Sequence, residues 1–227
     1  MKYFIIIFFV ILIVLGLVFF LSPNYFSQKF FQSSVKNEII SPLFNNSPIL
    51  KSANPPIQEN KDIQAPLDRA KERVMKKYFG IFINPQTSPI QPERFSGYHT
   101  GTDFEIFSEE IDLEVSVRAI CQGKLEVKKF ASGYGGVTVE SCNLNSEPAT
   151  IIYGHLKLTS IAKNVGENFN TGEIIGVLGK NKNAETDGER KHLHLGIHKG
   201  STINLLGYVK TKNELANWID PCLYVCN

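Results

Sequence analysis

The stretch His192-Leu193-His194-Leu195-Gly196-Ile197-His198 decides the reading of this 227-residue chain. Its residues alternate in character, and side chains along a β-strand alternate between the two faces of a sheet. Leu193, Leu195 and Ile197 are therefore expected to enter a core. His192, His194 and His198 share the opposite face, which is expected to line a groove. Gly196 lies between them on that face and is expected to leave room for the backbone of a ligand. Two imidazoles two residues apart on one face are a common start to a metal site.

The sequence before this stretch supports a sheet around it. Leu113 to Cys121, Lys124 to Phe130, Gly136 to Cys142, Thr150 to Tyr153 and Glu173 to Leu178 are short runs rich in β-branched and aromatic residues, separated by Gly, Asn and Ser. They read as strands. The segment Ala131-Ser132-Gly133-Tyr134-Gly135-Gly136 reads as a hairpin turn, its glycines permitting positive φ. A mainly β, antiparallel domain follows. Short helices are expected at Leu67 to Tyr78, which has helix formers and no Gly or Pro, and at Lys212 to Trp218.

The chain has five histidines, and four of them fall in three short motifs. The first, His99-Thr100-Gly101-Thr102-Asp103, is expected in a loop and brings an imidazole and a carboxylate within reach of one ion. Neutral nitrogen with anionic oxygen suits Zn²⁺. The second, Tyr153-Gly154-His155-Leu156, puts a histidine at a strand end, where it can donate or accept a proton. The third is the stretch above. His198 lies beyond the motif and is expected at the rim.

In this order the motifs resemble the M23 metallopeptidase family, the LytM/lysostaphin group, whose signature is HxxxD, then YxHL, then HLH. The resemblance runs from about Phe79 to Ile197 and takes in Val117-Arg118-Ala119, Gly133 to Val139 and Val165 to Gly179. It implies a sandwich-like LytM domain with a groove, and one zinc ion on His99, Asp103 and His194. It further implies that His155 and His192 assist catalysis, the general base being either one. Three protein ligands leave an open position, as catalytic zinc requires. The implied reaction is endopeptidase cleavage of peptidoglycan stem peptides or cross-bridges. Two other readings stand beside it: a non-catalytic module that binds the wall or activates a hydrolase, and a zinc peptidase acting on proteins. Where family members often have Gly-Pro before HLH, this chain has Gly188-Glu189-Arg190-Lys191. The charged loop from Lys180 to Lys191 is expected to form one groove wall, so the substrate need not be that of the family.

At the N-terminus, residues 1–3 precede an uncharged run from Phe4 to Leu21, long enough to cross most of a bilayer. It is expected to be a membrane anchor, a retained or cleaved signal segment being the alternative. Either would place the rest outside the cytoplasm, at the cell surface or in the periplasm. Residues 22–66 hold six of the eleven prolines and read as an extended stalk, which leaves 67–227 as the peptidase domain. Cys121, Cys142, Cys222 and Cys226 form up to two disulfides among three possible pairings. With 24 basic against 22 acidic residues, no basic surface of the kind that binds nucleic acid is expected.

Overall fold

The computed structural model describes residues 63–227. The expected span at 4–21 and all but the end of the expected stalk lie outside them. No helix among the described residues is long and apolar enough to cross a membrane.

The main sheet has the strand order β12-β10-β7-β6-β5-β8: Trp218–Ile219 (β12), His192–Lys199 (β10), Glu147–Gly154 (β7), Gly135–Leu144 (β6), Gly123–Ala131 (β5) and Asn168–Phe169 (β8). Gly101–Glu105 (β3) also pairs with β10, antiparallel. Beside this sheet are a three-stranded sheet of Phe82–Ile83 (β1), Gly97–His99 (β2) and Tyr208–Val209 (β11), and a pair formed by Ser116–Arg118 (β4) with Ile174–Val177 (β9). Each expected strand is found within a few residues of its place.

The alternation in β10 works out as its sequence dictates. Leu193, Leu195 and Ile197 are fully buried in a core shared with Phe104, Ile151, Tyr153 and Leu156. Each such side chain is worth roughly 1.5–3 kcal/mol, and a one-residue slip would turn all three outward, so the register is strongly fixed. The other face is only partly polar. Val137, Val139, Ile152, Trp218 and Tyr134 form a second apolar cluster there. Gly196 accordingly faces Trp218 rather than an open slot: a Cβ added to it would lie 3.4 Å from that ring. His198 packs edge-on against Trp218 at 4.9 Å and is buried, not at a rim.

The helices are shorter than their propensities predict. Only Ala70–Arg73 (α1) is helical within Leu67 to Tyr78. The backbone beyond it is taken up by tertiary bonds: the Lys77 carbonyl accepts from the Asp103 amide, and the Tyr78 carbonyl from His99 Nδ1. Arg73 is buried against Glu110. Near the C-terminus Lys212–Leu215 (α2), capped by Thr211 and Glu214, stops short of Trp218. Trp218 instead pairs with His198 in β12. A last short helix is Cys222–Val225 (α3).

The expected stalk boundary moves as well. Ile63 and Ala65 pack on the core, Gln64 donates to the Ile120 carbonyl, and the Pro66 carbonyl accepts from Arg118. The cysteines pair as Cys121–Cys142 and Cys222–Cys226.

Candidate active site

The His99 to Asp103 segment is not a loop. His99 ends β2 and Asp103 lies within β3, and the register sets His194 of β10 opposite Asp103 on one side and opposite Gly154 of β7 on the other. Two strands that flank β10 thus bring all three motifs together. The sequence permits the close packing at one residue in particular, Gly101. A Cβ there would come within 2.4 Å of the Leu195 carbonyl oxygen and 2.7 Å of His194 Nε2.

Asp103 Oδ1 lies 3.0 Å from His194 Nδ1 and 3.3 Å from His99 Nε2, and the two imidazole nitrogens are 3.0 Å apart. All three residues are buried. A carbonyl can only accept, so His99 carries its proton on Nδ1, donating to Tyr78 at 3.3 Å. Its Nε2 lone pair therefore points at the cluster. Two imidazole nitrogens and one carboxylate oxygen converging in a buried space suit a borderline-soft divalent cation, zinc above all, and the donor set fits it.

Electrostatics agree with this arrangement. Burial opposes ionisation of Asp103, yet the imidazoles gathered around it, His192 foremost, with His99 and His194, hold its carboxyl well below the usual range. Burial pulls His194 down to about 4 despite its bond to Asp103, so the imidazole is neutral and available as a ligand at neutral pH. Burial, with the adjacent His192, likewise keeps His155 well below the usual histidine range.

His155 and His192 sit beside the cluster with ring centroids 4.2 Å apart. His155 follows the end of β7 with φ of 64°, a left-handed conformation uncommon for a residue with a side chain. Its Nδ1 is buried without a hydrogen-bond partner among the described residues. His192 Nδ1 donates to the Arg190 carbonyl at 2.8 Å, which leaves Nε2 as the basic nitrogen, 3.3 Å from Asp103 Oδ2.

These groups open into a cavity of about 290 Å³. The stacked rings of Phe95 and Tyr208 form one side, and Tyr134 and Arg190 line others. The Lys180 to Lys191 loop does contribute a wall, through Glu189 and Arg190. It is tied in place: Arg94 bonds Asp187 and Glu189, and Asp187 accepts from the Gly133 amide of the β5–β6 hairpin. A larger cavity of about 830 Å³, beside the Cys121–Cys142 disulfide, has no histidine in its lining. Sequence reasoning had no role for Tyr134, Arg190 and Tyr208. The only signals were the "GYG" segment and the unusual charge before His192.

Residues 97–205, the span from β2 into the cavity wall, match the family model described as Peptidase family M23. This match takes in 109 of the 227 residues, just under half of the chain, and over them the domain is similar to peptidase family M23. Among solved structures it is similar to the catalytic domain of the antimicrobial peptidase lysostaphin from Staphylococcus simulans, at 20% identity and TM-score 0.45, covering 66% of this chain and 90% of that one. It is also similar to CbpA from L. salivarius REN, at 21% identity and TM-score 0.47, over 73% of this chain and 95% of that one. A third is LytU, at 23% identity and TM-score 0.44, over 66% and 81%. No curated protein matches the sequence.

Proposed function

We propose that this protein is a zinc-dependent endopeptidase that hydrolyses peptide bonds in the stem peptides or cross-bridges of peptidoglycan. The observation that carries the reading is the convergence of His99 Nε2, Asp103 Oδ1 and His194 Nδ1, with His155 and His192 beside them on the floor of a groove. His99, Asp103 and His194 would hold a zinc ion, which would supply a Lewis acid for the scissile carbonyl and the attacking water. His192 accepts the proton on Nε2, since its Nδ1 is committed to the Arg190 carbonyl. His155, kept neutral by burial, donates a hydrogen bond to the developing oxyanion, and the proton taken up by His192 passes on to the leaving amine. The stacked Phe95 and Tyr208 give an extended peptide an apolar surface to lie against.

The same reading places the domain outside the cytoplasm, on the membrane through residues 4–21. In support, every cysteine of the described domain is paired, as expected in an oxidising compartment.

The test uses the full chain, purified in detergent and incubated with isolated peptidoglycan sacculi, followed by mass spectrometry of the released fragments. Peptide cuts that stop with a zinc chelator and with His194→Ala are expected, and their masses identify the bond. Cutting that survives both would refute the zinc mechanism. Cleavage of protein substrates with sacculi left whole would transfer the chemistry to a different substrate.

A further inference from the structure

Asp103 has two carboxylate oxygens, and they have different surroundings. Oδ1 faces His99 and His194. Oδ2 accepts from Arg190 Nη2 at 2.9 Å. The guanidinium is fixed by a second carboxylate: Arg190 Nε lies 3.0 and 2.9 Å from the two oxygens of Glu105, and Nη2 also bonds Glu105. Glu105 is buried, two residues from Asp103 on β3 and therefore on the same face, and the register sets it opposite His192. Lys76 approaches its other side at 3.4 Å. Arg190 is thus clamped, and its planar fork spans both carboxylates in a way a lysine ammonium would not.

We propose that Arg190 is a positioning residue that occupies Oδ2 of Asp103 and so limits this carboxylate to one oxygen at the metal, with Glu105 present to hold the guanidinium in place. The inference rests on the metal site argued above. Carboxylates bind cations through one oxygen or two. A second oxygen from Asp103 would fill the position that three protein ligands leave open, giving the closed set of a structural site. Because a guanidinium does not lose its proton in proteins, the restraint holds at every working pH. Glu105 also offsets the charge of Arg190, so the restraint adds no net positive charge beside the cation.

The test is spectroscopic. The full chain is stripped of metal and loaded with Co²⁺, whose visible absorption reports coordination number, and azide is titrated as a probe of the open position. The wild type, Arg190→Gln and the double variant Arg190→Met/Glu105→Met are compared. The double variant removes the buried pair together, a replacement that is often neutral for stability, so it covers the case in which the single variant fails to fold. Both variants are expected to shift the visible spectrum toward higher coordination and to weaken azide binding at least tenfold. A purely structural role predicts a lowered Tm in the single variant, recovery in the double, and wild-type spectra in both; that result would overturn the proposal. Failure of the wild type to bind Co²⁺ would instead reject the metal site itself.

Discussion

At the scale of single residues, the buried acid Glu140 makes the sharpest contrast with Asp103. Both are nearly inaccessible, but Asp103 is surrounded by imidazoles and a guanidinium, whereas Glu140 accepts a hydrogen bond from Tyr153 at 2.8 Å and its Oε1 has no partner among the described residues. Burial therefore pushes the Glu140 carboxyl from 4.5 up to about 8, against the lowering effect of the Tyr153 bond. A raised acid pKa means that the folded state holds a proton which the unfolded chain has released. The associated stability is full below about pH 4.5 and is lost as pH rises toward 8, on the order of a few kcal/mol in all. Glu140→Gln keeps an acceptor for Tyr153 and should flatten the dependence of Tm on pH across that window. Denaturation curves at pH 5 and pH 8 measure it, and an unchanged slope would show that Glu140 does not carry the proton. His194→Ala belongs to this scale too: it removes one of the three proposed ligands, and zinc affinity measured by chelator competition should fall by at least two orders of magnitude.

At the scale of elements, the alternation of β10 was legible because it is a local property, carried by Leu193, Leu195 and Ile197. Its neighbours were legible for the same reason. What could not be read was anything set by residues distant in sequence. Trp218 looked helical, and only the position of His198 across the sheet makes it a strand residue. Lys77 and Tyr78 have good helix propensity, but their carbonyls are taken by Asp103 and His99. The proposed ligands stand in local motifs, whereas Arg190 acquires its meaning from Glu105, 85 residues earlier. Packing between β3 and β10 gives a test at this scale. Gly101→Ala would press a methyl group against the Leu195 carbonyl and the His194 ring. It should cost about 1–3 kcal/mol of stability and weaken zinc binding, whereas an alanine at the exposed Gly188, which meets no atom but strains a positive φ of 80°, should cost stability alone. Thermal denaturation and chelator competition on the two variants make the comparison.

At the scale of the whole molecule, the Cys121–Cys142 bridge links the segment just before β5 to β6, near the point where β8 joins the sheet edge. Cross-linking residues 21 apart restricts the unfolded chain, and reduction should cost about 2–4 kcal/mol. A Cys121→Ser/Cys142→Ser variant is expected to lose Tm while keeping its zinc affinity, because the bridge lies beside the other cavity and not the histidines. Equal loss of both would mean that the site depends on this edge of the sheet.

The position of β10 in the sheet has one more consequence, for the order in which the protein can come apart. The strand is bonded to β7 along one edge and to β3 and β12 along the other, so its amides cannot open without separating the middle of the sheet. Hydrogen exchange at Leu193 and Leu195 should therefore proceed only through global unfolding and rank among the slowest in the chain. The same slow exchange is expected in chelator-treated protein, because the spacing of the ligands is set by strand register rather than by the ion they are suited to hold.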